Sequence, residues 1–387
     1  MKVYFDNAAT TKVALRVFEA MKPYFSDIYG NASSLHGFGL SAKQALEDAR
    51  ETIARKISAK HNEVIFTSGA TEADNLAIRG VAYKNNHLGN HIITTKIEHP
   101  AVLESCRFLE TQGFKITYLP VDREGFVNLE ELKKSLSEKT ILISIIFANN
   151  EIGTIQPIKE IGKMIKKWNK EHKMNVYFHS DAVQAFTKID INVIDLNLDL
   201  LSVSSHKIYG PKGIGALYVR EGTKIERIAH GGHHEYNLRP GTENVSGAVG
   251  FTKASGLFNS KNYETVKSLR AYLIKEVLKN IPDAYLNGPL VENVLPGIAN
   301  FIFKDAEGEA IMLLLDKEGI AVSTGSACAS HSLEPSYVLL AIGVPKEEAH
   351  GSIRVSLGLE NTKEEIDYTV KVLKESVEKL RKINPLR

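Results

Sequence analysis

The chain has 387 residues, 48 Lys+Arg against 46 Asp+Glu, and 43% apolar residues. That length suits one large domain or two unequal ones, and the apolar share excludes a disordered chain. A net charge of +2 argues against a dedicated nucleic-acid binder. The longest apolar run, Ile141 to Ala148 around Ser144, falls far short of the ~20 residues of a membrane helix, so no membrane span is expected. Met1 to Asp6 shows no secretory apolar stretch, and two cysteines, Cys106 and Cys328, cannot build a disulfide framework. A cytoplasmic protein is expected.

In chain order, a strand is predicted at 63–67, then Ser68-Gly69-Ala70-Thr71 and a helix over 72–83. A strand at 91–95 leads to Glu98-His99-Pro100 and a helix to about Gln112. The run 141–147 leads to Asn149–Gly153 and a helix over 158–168. Strands at 175–179 and 200–203 lead to Ser180–Gln184 and to Ser204-Ser205-His206-Lys207. Apolar strands alternating with helices predict an α/β fold with a parallel sheet covered on both faces. In such sheets ligands bind beyond the carboxyl ends of strands, and each of these five polar clusters follows a strand. After about residue 255 helical patterns (263–278, 362–382) and short strands (298–303, 352–356) predict a smaller α+β domain.

The clusters carry candidate chemistry, each with a plainer alternative. Lys207, followed by Gly210-Pro-Lys-Gly213, is either a solvated loop lysine or a Schiff-base lysine. Asp181 either caps a helix or faces the nitrogen of a pyridine cofactor such as pyridoxal phosphate, with Gln184 in reach of that cofactor's phenolic oxygen. The Ser68–Thr71 loop caps a helix or, with Ser204 and His206, holds a phosphate. His99 is structural, or stacks on a cofactor ring and assists proton transfer. Asn150 could hydrogen-bond that ring or a substrate. Cys106, between Leu103 and Leu109 on a helical pattern, reads as a core residue, whereas Cys328 sits among Gly and Ser.

Together these segments closely resemble the cysteine desulfurases of pyridoxal-phosphate fold type I, in the branch serving iron–sulfur cluster assembly. The motifs include Tyr4-Phe-Asp-Asn-Ala-Ala-Thr-Thr11, Gly30–His36, Ser205-His-Lys-Ile-Tyr-Gly-Pro-Lys-Gly213, Arg239-Pro-Gly-Thr-Glu-Asn244 and Ser323-Thr-Gly-Ser-Ala-Cys328. The resemblance implies a mostly parallel seven-stranded sheet in a large domain over 13–255. A small domain from 1–12 and 256–387 would carry the cysteine loop. It implies pyridoxal phosphate bound covalently at Lys207, with Ala70, Thr71, Ser204 and His206 on its phosphate. Thr242 would reach in from the second subunit of a homodimer. His99, Asn150, Asp181 and Gln184 would surround the ring, and Arg354 would hold the substrate carboxylate.

The activity so implied converts L-cysteine to L-alanine and leaves a persulfide on Cys328, with Lys207 and His99 as the other catalytic residues. An iron–sulfur scaffold protein or another acceptor would take the sulfur, and Cys328 could transiently ligate a nascent cluster. Leu333–Val338 resembles the branch with a long cysteine loop. The alternatives are a selenocysteine lyase or other pyridoxal-phosphate lyase, and a non-catalytic platform, which intact Lys207 and Cys328 argue against. No Gly-x-Gly-x-x-Gly follows the first strand, which excludes a Rossmann dinucleotide site. Two departures stand out: His233 replaces a usual Gly, and Pro240 a usual Ser or Ala. With His230 and His234, His233 forms a His-rich patch whose spacing gives no metal motif, so no metal is expected.

Overall fold

Short β-branched runs pair along the chain into three sheets. In chain order the strands are β1 (Val3–Tyr4), β2 (Val64–Thr67), β3 (His91–Thr95), β4 (Lys115–Leu119), β5 (Thr140–Ser144) and β6 (Tyr177–Asp181). They continue as β7 (Leu200–Ser204), β8 (Gly215–Val219), β9 (Ala284–Asn287), β10 (Ile298–Phe303), β11 (Ile320–Ala321) and β12 (Ser352–Ser356). The computed structural model describes residues 1–324 and 334–383. Seven strands form one sheet in the order β2-β8-β7-β6-β5-β3-β4, a second sheet has the order β12-β10-β9, and β1 pairs with β11.

The large sheet is parallel except at β8, which runs antiparallel to both β7 and β2. Two reversals restore the sense of β2. Hence β2, β3, β5, β6 and β7 all end at the same edge, the arrangement that the five polar clusters predict. Both faces are covered, as a parallel sheet requires. One side packs helices Gly37–Lys56, Ile158–His172 and Val245–Ser255 into a cluster with Ile53, Ile161 and Phe251 fully buried. Helices Ala70–Asn85 and Pro100–Thr111 cover the other side, and Cys106 is fully buried there among Ile78, Val102 and Leu142.

A separate apolar cluster joins the β12-β10-β9 sheet to helices Ser260–Asn280, Gly308–Lys317 and Lys363–Ile383. Val3 and Phe5, from the other end of the chain, belong to it. A further cluster packs Val338 and Leu339 of helix Tyr337–Ala341 against Ile97 and Ile146, beyond the ends of β3 and β5. Among the described residues no helix is long and apolar enough to cross a membrane.

Differences from the sequence reading are local. Helix Ala70–Asn85 begins two residues earlier than predicted, so Ala70 and Thr71 form its first turn. The reading has no strand at β4 or β8. After Asp181 the chain makes consecutive turns through Ile189 rather than a helix.

One buried ion pair ties the first sheet strand to the His-rich segment. Arg50 donates to both carboxylate oxygens of Glu235, at 2.6 and 2.9 Å, and to the carbonyl of Val64. Glu235 also accepts from the backbone of Phe66, and the Arg50 guanidinium lies over the rings of Phe66 and Tyr236. Removing one partner strands the other charge away from water. Glu235→Ala is therefore expected to lower unfolding stability by about 3–5 kcal/mol in a urea titration. A loss under ~1 kcal/mol would mean that water replaces the carboxylate.

Candidate active site

The shared strand edge opens into a cavity of about 610 Å³, within the usual range of roughly 300–1,000 Å³ for small-molecule sites. Of the residues singled out by sequence, Ala70, Thr71, His99, Asn150, Asp181, Gln184, Ser204, His206, Lys207 and Arg354 all line it.

At one end lies the start of helix Ala70–Asn85. Its N-cap, Gly69, offers no side-chain cap, so the first N–H groups of the helix remain for a ligand. Thr71 and Ser204 add hydroxyls at this end, and Lys212 adds a positive charge. That donor set suits an anion such as phosphate. The His206 Nδ1 is 3.1 Å from the Thr10 hydroxyl, and burial beside Lys207 and Lys212 lowers the imidazole to about 4, so it is neutral. Glu72 bridges backwards, accepting from Ser68 N–H at 2.5 Å and from Arg239 at 3.1 Å. The carboxylate so fixes the loop that precedes the helix.

Asp181, at the end of β6, accepts from the Val183 N–H at 2.9 Å. Burial raises its pKa, opposed by His99 and Lys207. Beneath it lie more buried acids. Burial pushes Glu98 up to about 8 and raises Asp74 well above the usual range, the latter also through repulsion from Asp181. His179 is wedged between the hydroxyls of Ser144 and Ser202, and burial drives it down to about 3. Glu98 and Asp74 near neutral pH are thus held toward their uncharged forms, while Asp181 lines the cavity itself.

His99 caps helix Pro100–Thr111, its Nδ1 accepting from the Ala101 N–H at 3.1 Å. Burial lowers its pKa. With Nδ1 occupied, the neutral ring carries its proton on Nε2 and acts as a hydrogen-bond donor; moving a proton requires a second protonation. His99 thus caps the helix and also lines the cavity.

Lys207 follows β7, and its Nζ donates to the carbonyls of Ala8 and Ala9 at 2.7 and 2.6 Å. Opposite, Arg354 on β12 is buried with its Nη2 on Asp6 at 2.7 Å and its Nη1 on the Asn150 carbonyl at 3.1 Å. Its Nε and the Asn150 Oδ1 are buried without a partner among the described residues, a donor and an acceptor that a ligand could use.

One described candidate does not line this cavity. Thr242 is exposed and lines no part of it. Cys328 lies outside the described residues. In the His-rich patch, His233 pairs with Asn237 and His234 accepts from the Gly241 N–H. Among the described residues no group of three His, Cys, Asp or Glu is placed to hold a metal ion. The site also draws on residues that sequence reasoning did not assign a role: Asp6, Ala8, Ala9 and Thr10. Their signal was the Tyr4–Thr11 run, which is small and polar without helical or strand periodicity.

The model of the aminotransferase class-V family matches residues 3–369. This chain belongs to that family. Similar relatives are named cysteine desulfurases. It is 56% identical to the cysteine desulfurase IscS of Dictyoglomus turgidum over 389 residues, covering all of this chain and 97% of the relative. It is 51% identical to the cysteine desulfurase IscS of Methanosarcina thermophila, covering 99% of this chain and 94% of the relative. Among solved structures, a NifS-like protein superposes with a TM-score of 0.91 at 41% identity, over 98% of this chain and all of that one. SspA in complex with cysteine gives 0.82 at 38%, over 93% of this chain and all of that one. The class-V family and the fold implied by the sequence motifs are thus shown.

The anion end of the site depends on a close approach. A Cβ at Gly215 on β8 would stand 2.7 Å from the Val203 carbonyl and 2.9 Å from the Gly69 backbone. Gly215→Ala is expected to displace the Gly69 loop and weaken inorganic phosphate binding at least about tenfold by calorimetry, about the value of one charge-assisted hydrogen bond. Unchanged affinity would remove this loop from the anion site.

Proposed function

We propose that this protein is a pyridoxal-phosphate-dependent cysteine desulfurase, converting L-cysteine to L-alanine and leaving the sulfur as a persulfide on Cys328. The observation that carries this reading is one cavity where an uncapped helix start, a buried carboxyl and a lysine meet at neighbouring strand ends, with Arg354 facing them. The residues present fit the cofactor: a donor-rich anion end, Asp181 for a ring nitrogen, and an amine at Lys207.

When bound, pyridoxal phosphate supplies a carbonyl that condenses with amines and a ring that draws electrons from the substrate α-carbon. The chain's residues do the rest. The helix start, Thr71, Ser204 and His206 hold the phosphate. Asp181, its pKa raised by burial, shares a proton with the ring nitrogen. Gln184 and His99 offer N–H donors around the ring, and Lys207 takes the proton from the substrate α-carbon. Arg354, oriented by Asp6 and the Asn150 carbonyl, receives the substrate carboxylate.

Cys328, as thiolate, forms a bond to the substrate sulfur as the carbon–sulfur bond breaks, and the carbon fragment gains protons to become alanine. The segments on either side of Cys328 are tied to the cavity, which supports this role. Ser323 exchanges backbone hydrogen bonds with Arg354, while Ser336 donates to Glu151 and the Tyr337 hydroxyl to the Glu98 carbonyl. The persulfide then passes to an acceptor such as an iron–sulfur scaffold protein.

The protein acts as a cytoplasmic homodimer in this reading. Leu15, Phe18, Phe25, Phe38 and Leu40 are exposed on consecutive N-terminal helices and Leu35 on the bend before the third, and a second copy would cover such a patch. Exposed Thr242 would then serve the partner's cavity. The division into 13–255 and 1–12 with 256–387 is supported by the apolar cluster that Val3 and Phe5 share with the C-terminal helices.

The test is to supply L-cysteine to the purified protein and measure sulfide and alanine together. Cys328→Ser should stop sulfide release, while borohydride still fixes the cofactor's mass onto the Lys207 peptide. Undiminished release would assign the nucleophile elsewhere.

Arg354→Lys replaces a planar fork with a single flexible ammonium. The KM for cysteine should rise roughly ten- to a hundredfold, with a smaller effect on kcat. An unchanged KM would place the substrate carboxylate elsewhere.

A further inference from the structure

Behind Gln184 lies a lysine that the reaction above does not use. Lys188 closes the turn that follows β6, its N–H bonded to the Ala185 carbonyl just after Thr187, whose φ of 66° swings the chain back. Its Nζ donates to the Gln184 Oε1 at 3.3 Å. Phe258 lines the small cavity that Lys188 and Gln184 share. Burial and the nearby Lys207 push the amine down to about 7. Among the described residues it pairs with no carboxylate. Lys188 is half-buried with no carboxylate to pair with, so its one side-chain hydrogen bond among the described residues is informative.

That contact fixes an otherwise ambiguous group. The two ends of a glutamine amide are similar in size, and only their partners decide which is which. Gln184 Nε2 donates to the Ala8 carbonyl at 2.9 Å, the same carbonyl that accepts from Lys207. A flipped amide would set its oxygen against the Ala8 oxygen and its NH2 against the Lys188 amine. The first contact would be repulsive, and so would the second whenever the amine is protonated. In the observed orientation one Nε2 hydrogen serves Ala8, and the second is left for the cavity that Gln184 lines.

We propose that Lys188 is a positioning residue that locks the Gln184 amide, so that a bound aromatic cofactor meets an N–H donor at its phenolic oxygen rather than a carbonyl. The inference rests on the pyridoxal-phosphate reading of the cavity. It assigns Lys188 a purpose beyond packing, because a methionine would fill the same space without the desolvation cost.

The test uses the holoenzyme and the absorbance of its bound cofactor as a function of pH. Lys188→Met keeps the side-chain length and relieves the desolvation, so the melting temperature should stay level or rise. The chromophore should nonetheless titrate at higher pH, its proton affinity rising about two- to tenfold, the effect of one lost donor to the deprotonated oxygen. Gln184→Leu should shift it alike, and the double variant should add nothing further. Additive shifts would mean that Lys188 acts through its charge and not through Gln184, which overturns the proposal. So would an unshifted titration in Lys188→Met. A wild-type protein that holds no pyridoxal phosphate would instead overturn the reading of the cavity, and this inference with it.

Discussion

The backbone carbonyls of Ala8 and Ala9 grip the Lys207 amine, and much of the structure converges on that contact. The segment that carries them begins as β1, paired with β11, and gives Phe5 to the C-terminal core. Asp6 then orients Arg354, Thr10 meets His206, and Thr11 bonds the His206 carbonyl and the Tyr209 N–H. Within a few residues the chain passes from one core to the other and touches both ends of the cavity. A displacement of this segment would move the lysine, the arginine and the anion end together.

The floor of the cavity follows a second constraint, the cost of burying charge. Asp74, Glu98, Glu151, His179 and Lys188 are all pushed by burial toward their neutral forms. A site holding a dianion and a ring proton, as proposed for this one, would gain from such a background, because stray charges beneath it would compete with the intended ones. Hydroxyls do the remaining polar work: Thr95 for Glu98, Ser144 and Ser202 for His179, Ser336 for Glu151.

The edge of the sheet was legible in the sequence because each strand there is apolar and ends in a polar cluster. Ala70, Thr71, His99, Asn150, Asp181, Gln184, Ser204, His206 and Lys207 all follow such strands closely, and local pattern was enough to find them. Arg354 came from the resemblance alone, since an arginine inside a short strand carries no local signal. β4 was missed because Lys115 and its half-exposed neighbours dilute the apolar pattern at a sheet edge. β8 was missed because it follows the Gly-Pro-Lys-Gly run directly and reverses direction, which a βαβ rhythm does not anticipate. The Lys207, Arg354 and His206 contacts to the N-terminal segment join residues far apart in sequence, and no periodicity reports such pairs.

The same N-terminal segment has a consequence for synthesis of the protein. Residues 3–10 leave the ribosome long before β11, Arg354 and Ser356, which hold them. At roughly 5–20 residues per second the first strand waits on the order of tens of seconds for its partner. During that interval the large sheet can form, but the cavity lacks Arg354, and Val3 and Phe5 lack the core they pack into. The cavity is therefore completed after translation of nearly the whole chain, and a prematurely truncated product would have the sheet without the site.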